Sequence, residues 1–232
     1  MFDVAVPRTI VNPPLVDLFL NPLLGVRRVS LHGGANIFEP AGPATSLYFI
    51  HRGQVRLYQV GPDGTMQLLD ILGPNEWFGI DALAGAANHV GRAITVGASI
   101  ISEVPVDRFF ALLQQQPRAV TELIRSLATR LRNAREESGR LIFDDCLGRL
   151  LKTLLRFSHS PAATPSGNSV CLRITHLQLA QAVGVARETV SLTLKDLRDQ
   201  NVIRTGRNQI TFDPPAVEQF LQQRLLKTAP QV

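Results

Sequence analysis

The 232-residue chain has an ordinary globular composition, with 45% hydrophobic and 19% charged residues, and its length suits one or two domains. No apolar run approaches the ~20 residues of a membrane span, and the first residues lack the basic and apolar segments of a signal peptide, so we expect a cytoplasmic protein. Two cysteines, Cys146 and Cys171, are too few for a disulfide scaffold or a four-thiolate iron–sulfur cluster. The five histidines show no metal-ligand spacing, so we expect no metal site.

Charge is divided unevenly along the chain. Residues 1–116 carry seven arginines and nine acidic residues, a net of −2, whereas residues 117–232 carry seventeen basic and ten acidic residues, a net of +7. A basic C-terminal half joined to a slightly acidic N-terminal half indicates that a polyanion is the partner of one domain only. Solubility alone would also account for a surface of this charge.

Short strands separated by glycine and proline turns are predicted from about Val26 to Pro105. Apolar and polar residues alternate over 54–60, the run Gly-Pro-Asp-Gly at 61–64 predicts a hairpin turn, and a second strand follows over 67–72. Many short strands punctuated in this way are typical of an antiparallel roll or barrel.

The pattern changes from strands to helices after Pro105. A short helix is predicted over 106–114, and Pro117 suits the first position of a much longer helix. Along this helix, apolar and small residues recur at alternating spacings of four and three, a period of about 3.5 residues that is typical of a coiled-coil seam. We therefore predict a parallel homodimer; a long helix packed on its own domain is the alternative. The predicted seam residues are Ile124, Leu127, Leu131, Ala134 and Leu141.

The C-terminal part predicts two short helices across a turn, followed by a hairpin. An amphipathic helix over 144–157 and an exposed loop over 159–169, rich in Pro, Ser, Ala and Gly, come first. Thr175 is placed to cap a helix over 176–183, Gly184 to form the turn, and a second helix covers 187–199. Strands are predicted at 202–205 and 209–212. This order is that of a winged helix-turn-helix.

At the start of the second helix, one exposed face is expected to be shared by Arg187, Glu188 and Ser191. The N-terminal residues of a recognition helix reach base edges in the major groove, where Arg donates two hydrogen bonds to guanine and Glu accepts one from cytosine. Neighbouring polar residues are placed to meet phosphates. A solvated charged face on a small helical domain is the alternative. The predicted DNA-binding residues are Thr175, His176, Arg187, Glu188, Thr189, Ser191, Lys195 and Arg207.

The segment 174–203 closely resembles the helix-turn-helix of the cyclic AMP receptor protein/FNR family, and 37–57 and 72–79 resemble the family's β-roll. The resemblance covers about 26–220 in the same order. It implies an α+β fold with three parts: an antiparallel β-roll (a double-stranded β-helix) that senses an effector over 1–116, a coiled-coil dimerisation helix over 117–143, and a winged helix-turn-helix over 144–232. It further implies a homodimer that binds double-stranded DNA at a two-fold symmetric operator and contacts RNA polymerase.

The same resemblance implies a small-molecule pocket, with departures from the usual pattern. Cyclic-nucleotide binders of the family follow the glycine with a glutamate that holds the ribose, whereas Ile80 stands here, and the hydroxyls that would meet adenine are replaced by Ala134 and Arg135. The pair Gly79-Ile80 and the helix residue Arg130 are more similar to family members that sense 2-oxoglutarate. The family's N-terminal cluster cysteines are absent. The implied pocket residues are Gly79, Ile80, Asp81, Arg92, Ala93, Arg130 and Arg135.

The heptad pattern adds an electrostatic hypothesis. With Ile124 and Leu131 at a positions, Arg130 is a g position and Arg135 an e position, and g of one helix faces e of its partner five residues on. Neither arginine has a carboxylate three or four residues away. We therefore expect Arg130 to face the partner's Arg135, with an anionic effector such as a cyclic mono- or dinucleotide or 2-oxoglutarate bridging them. The alternative is that both extend into solvent or pair with Asp81 and other β-roll acids.

Other classes of protein are disfavoured by the motifs. The sequence has no glycine-rich phosphate loop, no nucleophile elbow and no paired catalytic carboxylates, so no enzyme is predicted. A ligand-binding module without DNA activity, such as a kinase or channel regulatory subunit, would lack residues 174–212. Two recognition-helix positions depart from the family: Leu192 replaces a usual arginine, and Ala186 replaces the usual Ser or Thr cap. The sequence does not indicate activation or repression.

Overall fold

The computed structural model describes residues 13–21, 26–143 and 145–228 and, of these, all side chains except those of 13–14, 137, 140–143 and 225–228. The predicted seam residue Leu141 is therefore outside the described side chains. The chain divides into two compact units, one ending at residue 136 and the other beginning at residue 137.

The first unit is a β-roll with flanking helices, as predicted. The elements in chain order are α1 (Pro13–Leu20), β1 (Arg27–Leu31), β2 (Asn36–Phe38), β3 (Ser46–Arg52), β4 (Val55–Val60), β5 (Met66–Leu72), β6 (Trp77–Phe78), α2 (Ile80–Leu83), β7 (Gly91–Thr95), β8 (Ser99–Pro105), α3 (Val106–Leu113) and α4 (Pro117–Phe143), whose residues from 137 onward belong to the second unit. The strands form two four-stranded antiparallel sheets with the orders β1-β8-β3-β6 and β2-β7-β4-β5.

The β4–β5 hairpin forms where the turn sequence predicted it. Val60 pairs with Met66, and the turn between them is closed by Asp63, whose carboxylate accepts a hydrogen bond from the Thr65 amide at 3.1 Å. Gly64 has a φ of 79°, a left-handed conformation that costs glycine little.

Phe19 of α1 is central to the larger core of this unit. Its ring stacks on Phe49, Trp77 and Phe109 at centroid distances of 5.2, 6.2 and 5.3 Å. Aromatic rings in such offset stacks bury large apolar areas, so α1 and α3 are held against the sheet. Helix α1 was not predicted.

One face of α4 packs on the same core. Ala119 and Leu123 are buried there, and Leu127 is partly buried against them. In contrast, Ile124 and Leu131 are 61% and 54% exposed. The regularly spaced apolar residues of α4 are therefore divided between a face packed on the core of the unit and a face exposed to solvent. Leu127, predicted in the dimer seam, lies partly against its own unit.

The second unit contains the predicted helix-turn-helix and wing. The remaining elements in chain order are α5 (Cys146–Phe157), β9 (Ala163–Ser166), β10 (Ser169–Leu172), α6 (His176–Val183), α7 (Arg187–Asp199), β11 (Ile203–Gly206), β12 (Gln209–Phe212) and α8 (Pro214–Thr228).

The prediction of an exposed loop over 159–169 is wrong for its second half. Strands β9 and β10 form a hairpin that joins the wing in one sheet of order β11-β12-β10-β9. Pro165 lies in β9, at the edge of this sheet, where the missing backbone N–H of proline is tolerated.

Asp145 joins two helices of this unit. Its side chain caps α5 by accepting a hydrogen bond from the Gly148 amide at 2.8 Å, and the same carboxylate binds the guanidinium of Arg224 in α8. The sequence reasoning did not predict α8. It begins at Pro214, a residue well suited to the first turn of a helix.

Candidate DNA-binding surface and effector site

Helix α6 begins and ends where the sequence predicts. The Thr175 hydroxyl accepts from the Gln178 amide at 3.1 Å, and the Gln178 side chain accepts from the Thr175 amide at 3.0 Å, which makes a complete capping box. Gly184 ends the helix with a φ of 74°. A defined start and stop fix the direction in which the chain enters α7.

Helix α7 presents its first residues to solvent. Arg187, Glu188 and Thr189 are exposed, whereas Val190 and Leu194 are buried against the rest of the unit. Ala186 supplies no side-chain cap, as its sequence indicates. Because the buried side anchors α7, its charged N-terminal turn is held on the outside of the unit.

Ser191 has a different role from the one that its position suggests. It is half-buried, its hydroxyl donates to the Arg187 carbonyl at 3.0 Å, and it is hydrogen-bonded to Nδ1 of His176 at 2.9 Å. The expectation that Ser191 is on the exposed face with Arg187 and Glu188 is corrected accordingly. Ser191 and His176 instead tie α7 to the start of α6.

The wing places a cation at its tip. Strands β11 and β12 pair from Ile203 with Phe212 to Gly206 with Gln209, and the turn between them contains Arg207 and Asn208. Asn208 has a φ of 56°, a left-handed conformation that asparagine tolerates in turns. Arg207 and Lys195 are both exposed, as phosphate contacts must be.

Gly79 occupies a position that admits no other residue without strain. Its φ is 93°, and a Cβ would lie 2.9 Å from the carbonyl oxygen of Ser46. It leads into the short helix α2, whose first residue, Ile80, is exposed. The implied pocket therefore presents an apolar side chain at the point where the resemblance expects a ribose-holding carboxylate.

Asp81 is engaged by a histidine that the sequence reasoning did not single out. Nδ1 of His89 lies 3.0 Å from the Asp81 carboxylate, and the buried imidazole stacks on Phe38 with ring centroids 3.8 Å apart. One aspartate and one histidine eight residues apart form no recognisable sequence motif, so this contact could not be predicted from the sequence. The pair ties α2 to the loop that precedes β7.

Arg92 and Ala93 lie side by side on β7. Arg92 is half-buried, sits opposite Tyr58 of β4, and forms a long ion pair of 3.9 Å with Glu39, whereas Ala93 is fully buried. A distance of 3.9 Å is too long for a hydrogen bond, so Glu39 leaves N–H donors of the Arg92 guanidinium available to bind an anion.

Arg130 packs against the roll of its own protomer. Its Nη2 donates to the Trp77 carbonyl at 2.7 Å, and its guanidinium lies over the Trp77 ring, 4.3 Å from the centroid. Burial lowers the pKa of Arg130, while the charges of Asp70 and Glu76 act in the opposite direction. These contacts favour the alternative, in which Arg130 is compensated by acids and an aromatic face of its own β-roll, over the expectation that it faces the partner's Arg135.

Arg135 and Ala134, further along α4, are exposed. Both cysteines are free thiols and half-buried. In the described ranges, no three histidine, cysteine or acidic side chains gather as a metal site would require. None of the helices in those ranges has the length and hydropathy of a membrane span.

Comparison with known families matches both units. Residues 28–116 match the model of the cyclic nucleotide-binding domain, and residues 148–220 match that of the Crp-like helix-turn-helix domain. A transcriptional regulator of the CRP/FNR family from Thermus thermophilus superposes with a TM-score of 0.71 at 27% identity, covering 84% of this chain and 98% of that one.

Two curated relatives are similar over most of their length. The cAMP-activated global transcriptional regulator CRP of Haemophilus influenzae is 30% identical over 194 residues, 82% of this chain and 84% of the relative. A CRP-like cAMP-activated global transcriptional regulator of Mycobacterium tuberculosis is 31% identical over 175 residues, 74% of this chain and 77% of the relative. The chain therefore belongs to the cyclic AMP receptor protein/FNR family of DNA-binding transcription regulators.

Proposed function

We propose that this regulator is a homodimer that binds a two-fold symmetric operator and whose DNA affinity is controlled by a small anionic effector in the β-roll. The observation that carries the DNA-binding part is the anchored helix α7, with Arg187 and Glu188 exposed at its start. A bacterial cytoplasm and a contact with RNA polymerase, which the resemblance to the family implies, complete the proposal.

Arg187 and Glu188 are proposed to read a G·C pair in each half-site, within a TGTGA-like element. Arginine donates two hydrogen bonds to guanine, and glutamate accepts from the amino group of cytosine. Thr175, Thr189, Lys195 and Arg207 meet the flanking phosphates, which sets the position of the helix in the groove. His176 and Ser191 support the helix through their mutual hydrogen bond.

Selection from a random double-stranded DNA library tests this part. Full-length protein is expected to enrich a two-fold symmetric sequence whose half-sites are centred about one helical turn apart, because two recognition helices of a dimer enter successive major grooves. Recovery of sequences with no common motif contradicts it.

The exposed apolar residues of α4 support the homodimer. Ile124 and Leu131 are seven residues apart, which is one heptad, and so occupy the same face of the helix. Leaving two such side chains largely in water is unfavourable by about 1–2 kcal/mol each, so a partner helix has a clear reason to cover them.

The effector part rests on Arg92. It is the pocket cation whose ion pair is long, whereas Arg130 is already bound to Trp77. Ile80 offers no hydrogen bond to a sugar hydroxyl, and Asp81 is held by His89. The pocket therefore favours an anion whose binding depends on charge rather than on ribose contacts, with Arg135 as a second candidate ligand.

Calorimetric titration with cyclic mononucleotides, cyclic di-GMP and 2-oxoglutarate tests this part. One of these anions is expected to bind the wild type and to lose affinity in Arg92→Ala. Arg27→Ala is the matched control, because Arg27 forms a similarly long ion pair of 3.8 Å with Glu103 on another strand. If none binds and none alters DNA affinity, the proposal of an anionic effector is contradicted and the alternative of an effector-independent member of the family is favoured.

A further inference from the structure

Leu192 of the recognition helix is unusually exposed for a large apolar side chain. At 65% relative exposure it exceeds Ile124 at 61% and every other large hydrophobic residue among the described side chains. The other leucines and the valine of this helix are buried against the unit. Leu192 is the exception, and we therefore expect a binding partner to cover its side chain.

The helix geometry shows in which direction Leu192 points. At about 100° per residue, Leu192 is nearly opposite Val190, Leu194 and Leu197, which are buried in the unit. It is one turn beyond Glu188 on the same outward face. The exposed face around Leu192 carries both charges, with Arg187 and Lys195 beside Glu188 and Asp196. A mixed surface of this kind suits contact with base edges, which present both hydrogen-bond donors and acceptors.

The base edges in the major groove present few apolar groups. Hydrogen-bond donors and acceptors cover most of the groove, and the C5-methyl group of thymine is the apolar feature that distinguishes bases there. A leucine that projects from the base-reading face contributes no hydrogen bond, but it can bury a methyl group.

We propose that Leu192 is a specificity-determining residue that contacts the thymine methyl of a T·A pair next to the G·C pair read by Arg187 and Glu188. This inference rests on the proposed DNA-binding function. It differs from simple loss of the family arginine, which would relax selectivity at this position: here one base preference is replaced by another.

The test uses the operator selected by the full-length wild type, with each thymine replaced in turn by deoxyuridine, which pairs identically but lacks the methyl group. Fluorescence anisotropy is expected to show, at one position in each half-site, an affinity loss of about fourfold, the equivalent of one buried methyl group. Leu192→Ala is expected to bind thymine and uracil operators equally, and Leu192→Arg to prefer G·C at that position.

Leu177→Ala is the matched control, since Leu177 is an exposed leucine of the same helix-turn-helix at 53%. It is expected to keep the wild-type preference for thymine over uracil. The inference is overturned if uracil is tolerated at every position, or if Leu192→Ala retains the discrimination. Failure of DNA binding itself is distinguishable, because the wild type then selects no operator at all.

Discussion

At the scale of single residues, Arg130 has a structural role that its position on the helix surface does not reveal. It contacts Trp77 through both a hydrogen bond and its guanidinium face, and Glu76 is buried nearby. Replacing Arg130 by Met removes both contacts with Trp77 and the attraction of the guanidinium to the charges of Asp70 and Glu76. A loss of about 3 kcal/mol in the free energy of unfolding is expected.

Urea denaturation followed by the fluorescence of Trp77 measures this loss, because Trp77 is the single tryptophan of the chain. Arg135→Met, an exposed arginine on the same helix, is expected to change stability by less than about 0.5 kcal/mol. Equal effects of the two substitutions would show that the contact with Trp77 contributes nothing.

The roles proposed for Arg187 and Arg207, base reading and phosphate binding, can be separated by substitution. Arg187→Ala is expected to cost about 1–3 kcal/mol on the selected operator and little on unrelated DNA, because only the bidentate contact to guanine is lost. Arg207→Ala is expected to weaken all sequences similarly and to lower the salt slope by about one. Anisotropy titrations at several salt concentrations measure both; unchanged operator preference in Arg187→Ala contradicts the assignment of α7.

At the scale of elements, Asp145 connects α5 with α8. Asp145→Asn keeps an oxygen for the cap but loses the ion pair with Arg224, and it is expected to cost about 0.5 kcal/mol because Asp145 is 57% exposed and solvent screens the pair. Asp145→Ala also loses the cap, which adds about 1 kcal/mol. Thermal unfolding measures both.

The difference between wild type and Asp145→Asn depends on pH. The hydrogen bonds from Arg224 hold the pKa of Asp145 below its usual range. A carboxylate with a lowered pKa contributes its stability above its ordinary pKa and loses it as the pH falls through the lowered value. The stabilities of the wild type and Asp145→Asn are therefore expected to converge in acid. A difference in stability that stays constant down to about pH 2 would contradict this role of Asp145.

Elements with strong local signals were predictable from the sequence, and those defined by tertiary packing were not. Thr175 and Gly184 mark α6 because capping and left-handed turns depend on the residue itself. The β9 strand escaped prediction because Pro165 indicates a loop unless the strand is known to be an edge. Likewise, no periodicity distinguishes an arginine packed on Trp77 from one that extends into solvent.

In the candidate DNA-binding surface and effector site, too, features with a local sequence signal could be predicted and those defined by tertiary packing could not. The exposure of Arg187, Glu188 and Arg207 could be inferred from the order of helix, turn and hairpin. The bond between His176 and Ser191, and that between Asp81 and His89, could not, because each joins side chains brought together only by packing.

At the scale of the whole molecule, dimerisation is proposed to depend on Leu131. Leu131→Glu places two like charges in an apolar seam, so monomers with weak operator binding are expected. Sedimentation velocity measures the association. Leu69→Glu, a similarly exposed leucine on β5, is the control and is expected to remain dimeric. A dimeric Leu131→Glu would place the seam elsewhere.

The pairing of β1 with β8 has a consequence for how the chain reaches its native state. Arg27 lies opposite Glu103 and Leu31 opposite Ser99. The backbone hydrogen bonds between β1 and β8 therefore cannot form until β8, the last strand of the roll, has left the ribosome. Contacts so distant in sequence close slowly. The strand pairings of the C-terminal unit are closer in sequence, the most distant being that of β10 with β12, although the contact of α5 with α8 through Asp145 and Arg224 is itself long-range. The second unit to be synthesised is thus expected to fold faster than the first, and nascent chains that end near residue 100 expose an unpaired strand edge to chaperones.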